Sequence, residues 1–260
     1  MDLREGCCLE LMKELPDNSI DLLFADLPYC QTKLAWDVEI DLELFWKEVN
    51  RVCKIDSPKI FTTTAKFGNL LINSNPKNFR HDLVWIKSCP VGFLNSTRVS
   101  PMRKHELIYV FYNKLSPVYS INIARHHKHK FREAEQKKNI VIKETTDVYG
   151  GTGVYAETDH ASSKNYVGYG DNNNFTIYEP PLPNTVIEIK SEKGKHSTQK
   201  PVALMEWILK YYSTEGSIVL DPTMGSGSMG QACKNMERIF IGFEKDKDIF
   251  DVAFNRLIDV

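Results

Sequence analysis

The sequence predicts an α/β fold built on a mostly parallel central sheet, and three observations carry that expectation. Short apolar runs at Ile20-Asp21-Leu22-Leu23-Phe24-Ala25 and Ser217-Ile218-Val219-Leu220 each end in a turn-forming loop, as buried strands of parallel sheets do. Runs of strand and helix character alternate through most of the chain. Near the end, a strand, a glycine-rich turn, a helix, a second strand and an acid follow in the order of a nucleoside-binding half.

Taken in order, the first loop is Asp26-Leu27-Pro28-Tyr29, after which Asp41 caps a helix to about Val52 with Leu42, Phe45, Trp46 and Val49 on one stripe. Strands are expected at Lys59–Thr63, Asp82–Ile86 and Glu106–Phe111. Between about 113 and 195 the periodicity decays among Gly150-Gly151-Thr152-Gly153, Gly168-Tyr169-Gly170-Asp171 and Pro180-Pro181-Leu182-Pro183. This stretch reads as an insertion, dividing the chain into 1–112, 113–195 and 196–260. Its tyrosines and phenylalanines, among them Tyr119, Phe131, Tyr155 and Tyr178, point to a packed or binding segment rather than a plain linker. Regular structure resumes with a helix from Pro201 to about Tyr212, the strand to Leu220, a helix through about Met236, a strand at Arg238–Phe243 and a last helix from about Asp246 to Ile258.

The length of 260 residues and a 42% hydrophobic content suit one large domain, or one domain with an insertion. No apolar stretch approaches the roughly 20 residues of a membrane span, and Met1-Asp2-Leu3-Arg4-Glu5 lacks a signal peptide's basic and apolar segments, so a cytoplasmic location with no membrane partner is expected. Cys7, Cys8, Cys30, Cys53, Cys89 and Cys233 show no C-x-x-C pair, which indicates reduced thiols and no metal site. A net charge of −1 would argue against a polyanion partner, but the charge is uneven. Between Lys77 and Lys143 there are fourteen Lys and Arg against the four acids Asp82, Glu106, Glu133 and Glu135, with five histidines interspersed. That local basic field suits a nucleic-acid backbone, and a solvated loop face explains it equally well.

The late loop is Asp221-Pro222-Thr223-Met224-Gly225-Ser226-Gly227-Ser228, and Glu244 stands seventeen residues after Gly227 at the end of the next strand, where a carboxylate accepts ribose hydroxyls. A Walker lysine is absent, and an acid at the strand end disfavours pyrophosphate and favours a cationic or amino-bearing ligand such as an aminoacyl sulfonium. A glycine turn with Glu244 in a surface ion pair is the competing account. In the early loop, the Asp26 carboxylate and the Leu27 carbonyl offer acceptors for the two hydrogens of a ring-bound amine. Pro28 stiffens the turn, and Tyr29 presents a face for a base; the competing account is a plain turn with a buried tyrosine. Trp36, Trp46, Trp85 and Trp207 read as core or cleft wall, and Cys30 as packing.

These residues resemble the DNA amino-methyltransferases of the permuted, or beta, arrangement. Asp26 to Tyr29 match that family's D/N/S-P-P-Y catalytic motif, Asp221 to Ser228 match its D-P-F-x-G-S-G-T-like cofactor motif, and Phe243-Glu244 is similar to its ribose-binding acid. His196-Ser197-Thr198-Gln199-Lys200-Pro201 looks like the segment that touches the methionine part of S-adenosylmethionine. The resemblance spans nearly the whole chain outside about 113–195. It implies a Rossmann-like methyltransferase, circularly permuted, with an inserted target-recognition region. Asp26, Leu27, Pro28 and Tyr29 would be catalytic; Cys7, His196, Thr198, Gln199, Lys200, Pro201, Asp221, Pro222, Thr223, Gly225, Ser226, Gly227, Ser228, Phe243 and Glu244 would face S-adenosylmethionine.

An aspartate heading the motif is similar to adenine-N6 enzymes rather than cytosine-N4 ones, and the target base must then be flipped out of the duplex. Double-stranded DNA is the implied partner, with Arg98, Arg103, Lys104, Arg125, Lys128 and Lys130 as phosphate contacts. A cognate restriction endonuclease and a second copy of the chain are the other partners the resemblance admits. Leu27 stands where proline is usual, and Ser228 and Thr223 replace threonine and phenylalanine. Gly6-Cys7 stands where Gly-Asp is frequent, which removes an acid that would hold the adenine ring. Alternatives left open are an N4-cytosine or RNA-base methyltransferase, a protein-glutamine methyltransferase, whose motif order speaks against it, and a catalytically silent DNA-binding subunit.

Overall fold

The computed structural model describes residues 1–29, 40–91, 101–114, 118–119, 122, 127–130, 141–146, 152–157, 176–179, 182–192 and 199–258, with backbone alone at 91, 127–130, 141–146, 152–157 and 176–179. They form two compact units, one of Met1–Asn122 with Asn184–Val260, the other Ile123–Pro183.

The elements in chain order are β1 (Asp2–Glu5), α1 (Cys8–Lys13), β2 (Leu22–Ala25), α2 (Leu42–Val52), β3 (Lys59–Thr63), α3 (Ala65–Ser74), β4 (Phe79–Val91) and β5 (Arg103–Phe111). Next come β6 (His127–Lys130), β7 (Val141–Thr146), β8 (Thr152–Glu157), β9 (Thr176–Glu179) and β10 (Val186–Glu188). The chain closes with α4 (Val202–Tyr212), β11 (Ile218–Asp221), α5 (Ser228–Asn235), β12 (Ile239–Glu244) and α6 (Lys247–Ile258). No described helix is long and apolar enough to cross a membrane.

Eight strands of the larger unit make one sheet in the order β1-β12-β11-β2-β3-β5-β4-β10. Its ladders are parallel except those of β5, which runs antiparallel to both β3 and β4. Two consequences place the site. The chain turns one way after β2, towards β3, and the other way after β11, towards β12, so a crevice opens between the carboxyl ends of β2 and β11. Because β5 is reversed, its amino end reaches that same edge of the sheet.

The strands are short and apolar because both faces are covered. Leu23, Ala25, Phe61, Phe111, Leu220 and Phe243 join one cluster with Met12, Leu15, Phe45, Trp46, Val49, Val52, Phe67 and Leu71 from α1, α2, α3 and the segments beside them. Residues of the other parity, Leu22, Phe24, Ile60, Val219 and Phe240, are buried as well. On the far half, α4 packs on α5, and both α5 and α6 lie on β12. Phe61 stands edge-on to Phe45, Trp46 and Phe111 at centroid distances of 6.2, 5.4 and 5.6 Å, a geometry that satisfies the ring quadrupoles.

Local signals act as the sequence suggests at α2, where the Asp41 carboxylate accepts the Leu44 amide at 3.0 Å. Pro201 occupies the position just before α4. Three elements carry little pattern: β1 is a short polar edge strand, α1 has only six residues, and α3 is capped by Thr64. Strand β4 extends well beyond the Asp82–Ile86 core. The boundary at about 195 runs past β10, which the composition hides because β10 is three residues long, yet it pairs with β4 in the main sheet. The smaller unit consists of two antiparallel pairs, β6 with β9 and β7 with β8.

Asp21 fixes the alignment of β2 with β11. Its Oδ2 accepts the Ile218 amide at 2.9 Å, its own amide donates to the Ile218 carbonyl at 2.9 Å, and its Oδ1 accepts Lys54 Nζ at 2.5 Å. Asp21→Ala is expected to cost about 1.5–3 kcal/mol in urea unfolding, because a charge-assisted acceptor is lost and the Ile218 amide is left unpaired. Asp21→Asn, which keeps the acceptor, should cost less.

Candidate active site

Asp26 follows β2, and the ladders set what surrounds it. Ala25 pairs with Phe61 on β3, so Thr62 lies level with Asp26, and its hydroxyl donates to Asp26 Oδ1. The Tyr29 hydroxyl donates to the same oxygen at 2.6 Å, closing the Asp26-Leu27-Pro28-Tyr29 turn. The Tyr29 ring lies 5.4 Å from that of Phe67 on α3. Lys200, from the segment before α4, donates to Asp26 Oδ2 at 2.6 Å. One face of the Asp26 carboxylate is thus held by two hydroxyls and the other by an ammonium.

Opposite stands the late loop. Asp221 ends β11 and accepts the Thr223 amide at 3.1 Å. The turn continues through Gly225 and Gly227, whose φ values of +52° and +79° lie in the left-handed region that glycine adopts without strain. A Cβ on Gly227 would come within 2.9 Å of Leu257 Cδ1, so a side chain there would also have to displace Leu257 on α6. The Arg256 guanidinium holds the turn from α6, donating to the Ser226 carbonyl at 3.1 Å and to the Ser228 hydroxyl at 3.3 Å. Ser226 also donates to Gln199 Oε1 at 3.3 Å, tying the segment before α4 to the glycine turn.

Glu244, at the end of β12, accepts the Gly225 amide at 3.0 Å and the Asp246 amide at 2.9 Å. The Gly6 amide donates to the Glu244 carbonyl at 2.8 Å, which brings Gly6-Cys7 to the same edge; Cys7 is exposed there. Phe243 is fully buried beneath the turn, its carbonyl accepting the Met224 amide at 2.8 Å. Leu27 is buried and Pro28 half-buried.

The carboxylates of this edge have divergent ionisation. Burial raises Asp26, but Lys200 and the two hydroxyls outweigh it and hold the group below the usual aspartate range. Among the described residues Asp221 has no cation bonded to it; burial pushes it well above the usual value, the charges of Asp26 and Glu244 add to the rise, and the Thr223 amide and the charge of Lys200 oppose it. Burial raises Glu244 too, with the Asp246 and Gly225 amides opposing. Burial lowers Lys200, yet Asp26 and Glu106 overcome this and keep it protonated.

Of the expected site residues, Asp26, Leu27, Pro28, Tyr29, Cys7, Gln199, Lys200, Pro201, the 221–228 turn, Phe243 and Glu244 fall in the larger unit around the edge of the sheet described here. Lys200, expected to face the cofactor, directs its ammonium at Asp26. Arg103 and Lys104 are exposed at the amino end of β5, on that same edge. Lys128 and Lys130 are placed on β6 by backbone alone. Arg98, Arg125, His196, Ser197, Thr198, Cys30 and Trp36 lie outside the described residues. Trp46 and Trp85 are core residues. Sequence pattern does not mark Thr62, Lys87 or Glu106 as site residues; Thr62 and Glu106 are a hydroxyl and an acid in strands with apolar neighbours, which becomes informative once the ladder register is known.

Asp221 generates a test. Below the unfolded pKa near 3.8 the carboxyl is protonated in both states; as pH rises, the unfolded chain ionises first and folding loses stability until the raised folded pKa is passed. Asp221→Asn keeps an acceptor for the Thr223 amide without that loss. It should raise Tm by about 2–4 °C per kcal/mol recovered at pH 7.5, with the gain vanishing towards pH 4 in thermal melts.

The comparisons agree with this geometry. The family described as DNA methylase matches residues 20–255. The type II methyltransferase M.HinfI of Haemophilus influenzae is 27% identical over 285 aligned residues, covering 98% of this chain and 68% of the relative. The type II methyltransferase M.HindIII of the same species is 46% identical over 72 residues, which are 27% of this chain and 23% of that protein. Among solved structures, the M1.HpyAVI–SAM complex superposes with a TM-score of 0.59 at 22% identity, covering 98% of this chain and 99% of that one. The cytosine-N4-specific PvuII DNA methyltransferase gives 0.61 at 15% identity, covering 99% and 86%. These two structures share the fold. With the family match spanning nearly the whole chain and the two motif loops meeting at one edge of the sheet, the protein belongs to the DNA methylase family.

Proposed function

We propose that this chain transfers a methyl group from S-adenosylmethionine to the N6 amine of an adenine flipped out of double-stranded DNA. The observation that carries the reading is the bond from Lys200, in the segment tied to the glycine turn, to Asp26, which heads the early loop: the loops expected to hold donor and acceptor share one crevice.

The residues present suit such a cofactor. Thr223 Oγ1 is buried with no hydrogen-bond partner among the described residues, an orphan in the loop that would cradle a polar ligand. Glu244 has a carboxylate at the strand end for ribose hydroxyls, and the buried Asp221 carboxyl suits an amino-bearing or cationic group, which would favour its ionised form. When bound, the cofactor supplies an electrophilic methyl on a sulfonium.

The protein's own share is positioning and charge placement. An amine conjugated to a purine is a weak nucleophile. The Asp26 carboxylate and the Leu27 carbonyl accept its two hydrogens, aim the nitrogen lone pair, and favour the positive charge that grows on nitrogen as its bond to carbon forms. Asp26, held ionised, then receives the proton the nitrogen releases. The Tyr29 ring offers a stacking face for the flipped base, at a flipping cost of a few kcal/mol. Exposed Arg103 and Lys104 lie at the amino end of β5, which supports phosphate contacts beside the crevice. The aspartate heading the motif supports adenine over cytosine, the order of the loops supports the permuted arrangement, and the type II relatives support a role beside a restriction endonuclease.

Incubation with tritiated cofactor and unmethylated duplex DNA, followed by digestion to nucleosides, should place the label in N6-methyldeoxyadenosine; label in N4-methyldeoxycytidine or in protein alone would overturn the reading. Asp26→Ala is expected to bind cofactor normally while single-turnover methylation falls by about 10²–10³ or more. Glu244→Ala should instead weaken cofactor binding by about 10–100-fold in titration calorimetry, the effect of losing charge-assisted hydrogen bonds.

A further inference from the structure

Asp26 already accepts three hydrogen bonds before any base arrives. Oδ1 accepts Tyr29 and Thr62, and Oδ2 accepts Lys200 at 2.6 Å, so the oxygen that would receive an amine hydrogen is covered by an ammonium. That cation also opposes the positive charge that must grow on the attacking nitrogen. A second acceptor waits nearby. Glu106, near the amino end of the reversed β5, places Oε2 at 3.7 Å from Lys200 Nζ. This oxygen is buried and has no hydrogen-bond partner among the described residues. The other oxygen, Oε1, is pinned by Lys87 Nζ at 2.8 Å, and Lys87 is itself held over the Trp85 ring at 5.2 Å. Trp85 is fixed in turn by its indole N–H on the Ile189 carbonyl at 2.8 Å.

Building on the functional reading above, we propose that Glu106 is a positioning residue that takes Lys200 from Asp26 when the target amine enters. A shift of about 1 Å in Nζ brings it within hydrogen-bond distance of Oε2. Asp26 Oδ2 is then free to accept the amine, while the ammonium stays paired and buried, and Asp26, Glu106, Lys200 and Lys87 together keep zero net charge. A full unpairing of Lys200 would leave a buried cation alone, which is costly; the exchange between two carboxylates avoids it. In the free enzyme, Lys200 keeps Asp26 ionised and set in one orientation. During the reaction, Glu106 removes that same cation from the reacting atoms. Lys200 is thereby a second positioning residue, and Lys87 the anchor that keeps Glu106 in place.

The test is a double-substitution cycle at pH 8, read by single-turnover methylation of duplex DNA with separate titrations of cofactor and DNA. Glu106→Gln leaves Lys200 without its second carboxylate, so the methylation rate should fall by about 10–100-fold while both dissociation constants stay within about threefold. Adding Lys200→Met to Glu106→Gln removes the cation that must be displaced and should restore about tenfold of the rate, a non-additive gain that a structural role for Glu106 would not produce. If Glu106→Gln melts below the assay temperature, Glu106→Asp keeps the charge but shortens its reach, and should lose about 3–10-fold in rate at unchanged affinities. A Glu106→Gln rate equal to wild type, or a double variant no faster than Glu106→Gln, overturns the inference with the function intact. A wild-type chain that labels no DNA base defeats the functional reading and this inference together.

Discussion

Leu22 and Leu23 pair in a parallel ladder with Val219 and Leu220, and Asp21 reaches across the same seam to the Ile218 amide, 197 positions away in sequence. Everything at the site depends on this seam. Parallel strands deliver both carboxyl ends to one edge, so the loop opened by Asp26 and the loop opened by Asp221 face each other without further architecture. The diverging connections on either side leave the crevice open, since β2 leads on to β3 and β11 to β12, on opposite sides. Burial of both sheet faces makes the seam rigid: its side chains are apolar and close-packed, and a slip of one residue would exchange the two faces.

The edge so created concentrates charge. Asp26, Asp221, Glu244 and Glu106 come from four strands or strand ends, and among the described residues Lys200 and Lys87 answer the pair nearest the early loop. The cations are unevenly shared. Asp26 is ionised because it owns an ammonium and two hydroxyls, whereas Asp221 has a backbone amide and is pushed towards its protonated form. The free protein therefore keeps an ionised acceptor on one side of the crevice and an unmet demand for positive charge on the other. Such an arrangement is costly in isolation and becomes favourable on binding a cation, which couples stability to ligand occupancy.

The backbone of the late loop has the same logic. Two left-handed glycines turn the chain sharply enough for Gly225 to donate to Glu244, and the second brings α5 close to Leu257 on α6. Arg256 ties the turn from α6 and Gln199 from the segment before α4, so three separate pieces of chain meet on Ser226 and its neighbour Ser228. The loop is a fixed surface rather than a loose connection, which suits recognition by shape and a few polar groups.

By itself the sequence determined the class of fold, most of the helices and strands of the larger unit, and the position of the two loops, because each rests on short-range physics: apolar periodicity, a capping aspartate at Asp41, glycines that alone tolerate positive φ. The polar edge strand β1, the six-residue α1 and the three-residue β10 escaped it, since their order comes from pairing with distant strands and not from propensity. The same reason hid Thr62, which the parallel register of β2 and β3 sets beside Asp26, and Glu106 with its partner Lys87, which the reversal of β5 brings to that edge; it also places the Lys200 ammonium on Asp26. Local composition fixes which groups a chain owns; ladder register and strand direction, set by burial of the whole sheet, fix which of those groups meet.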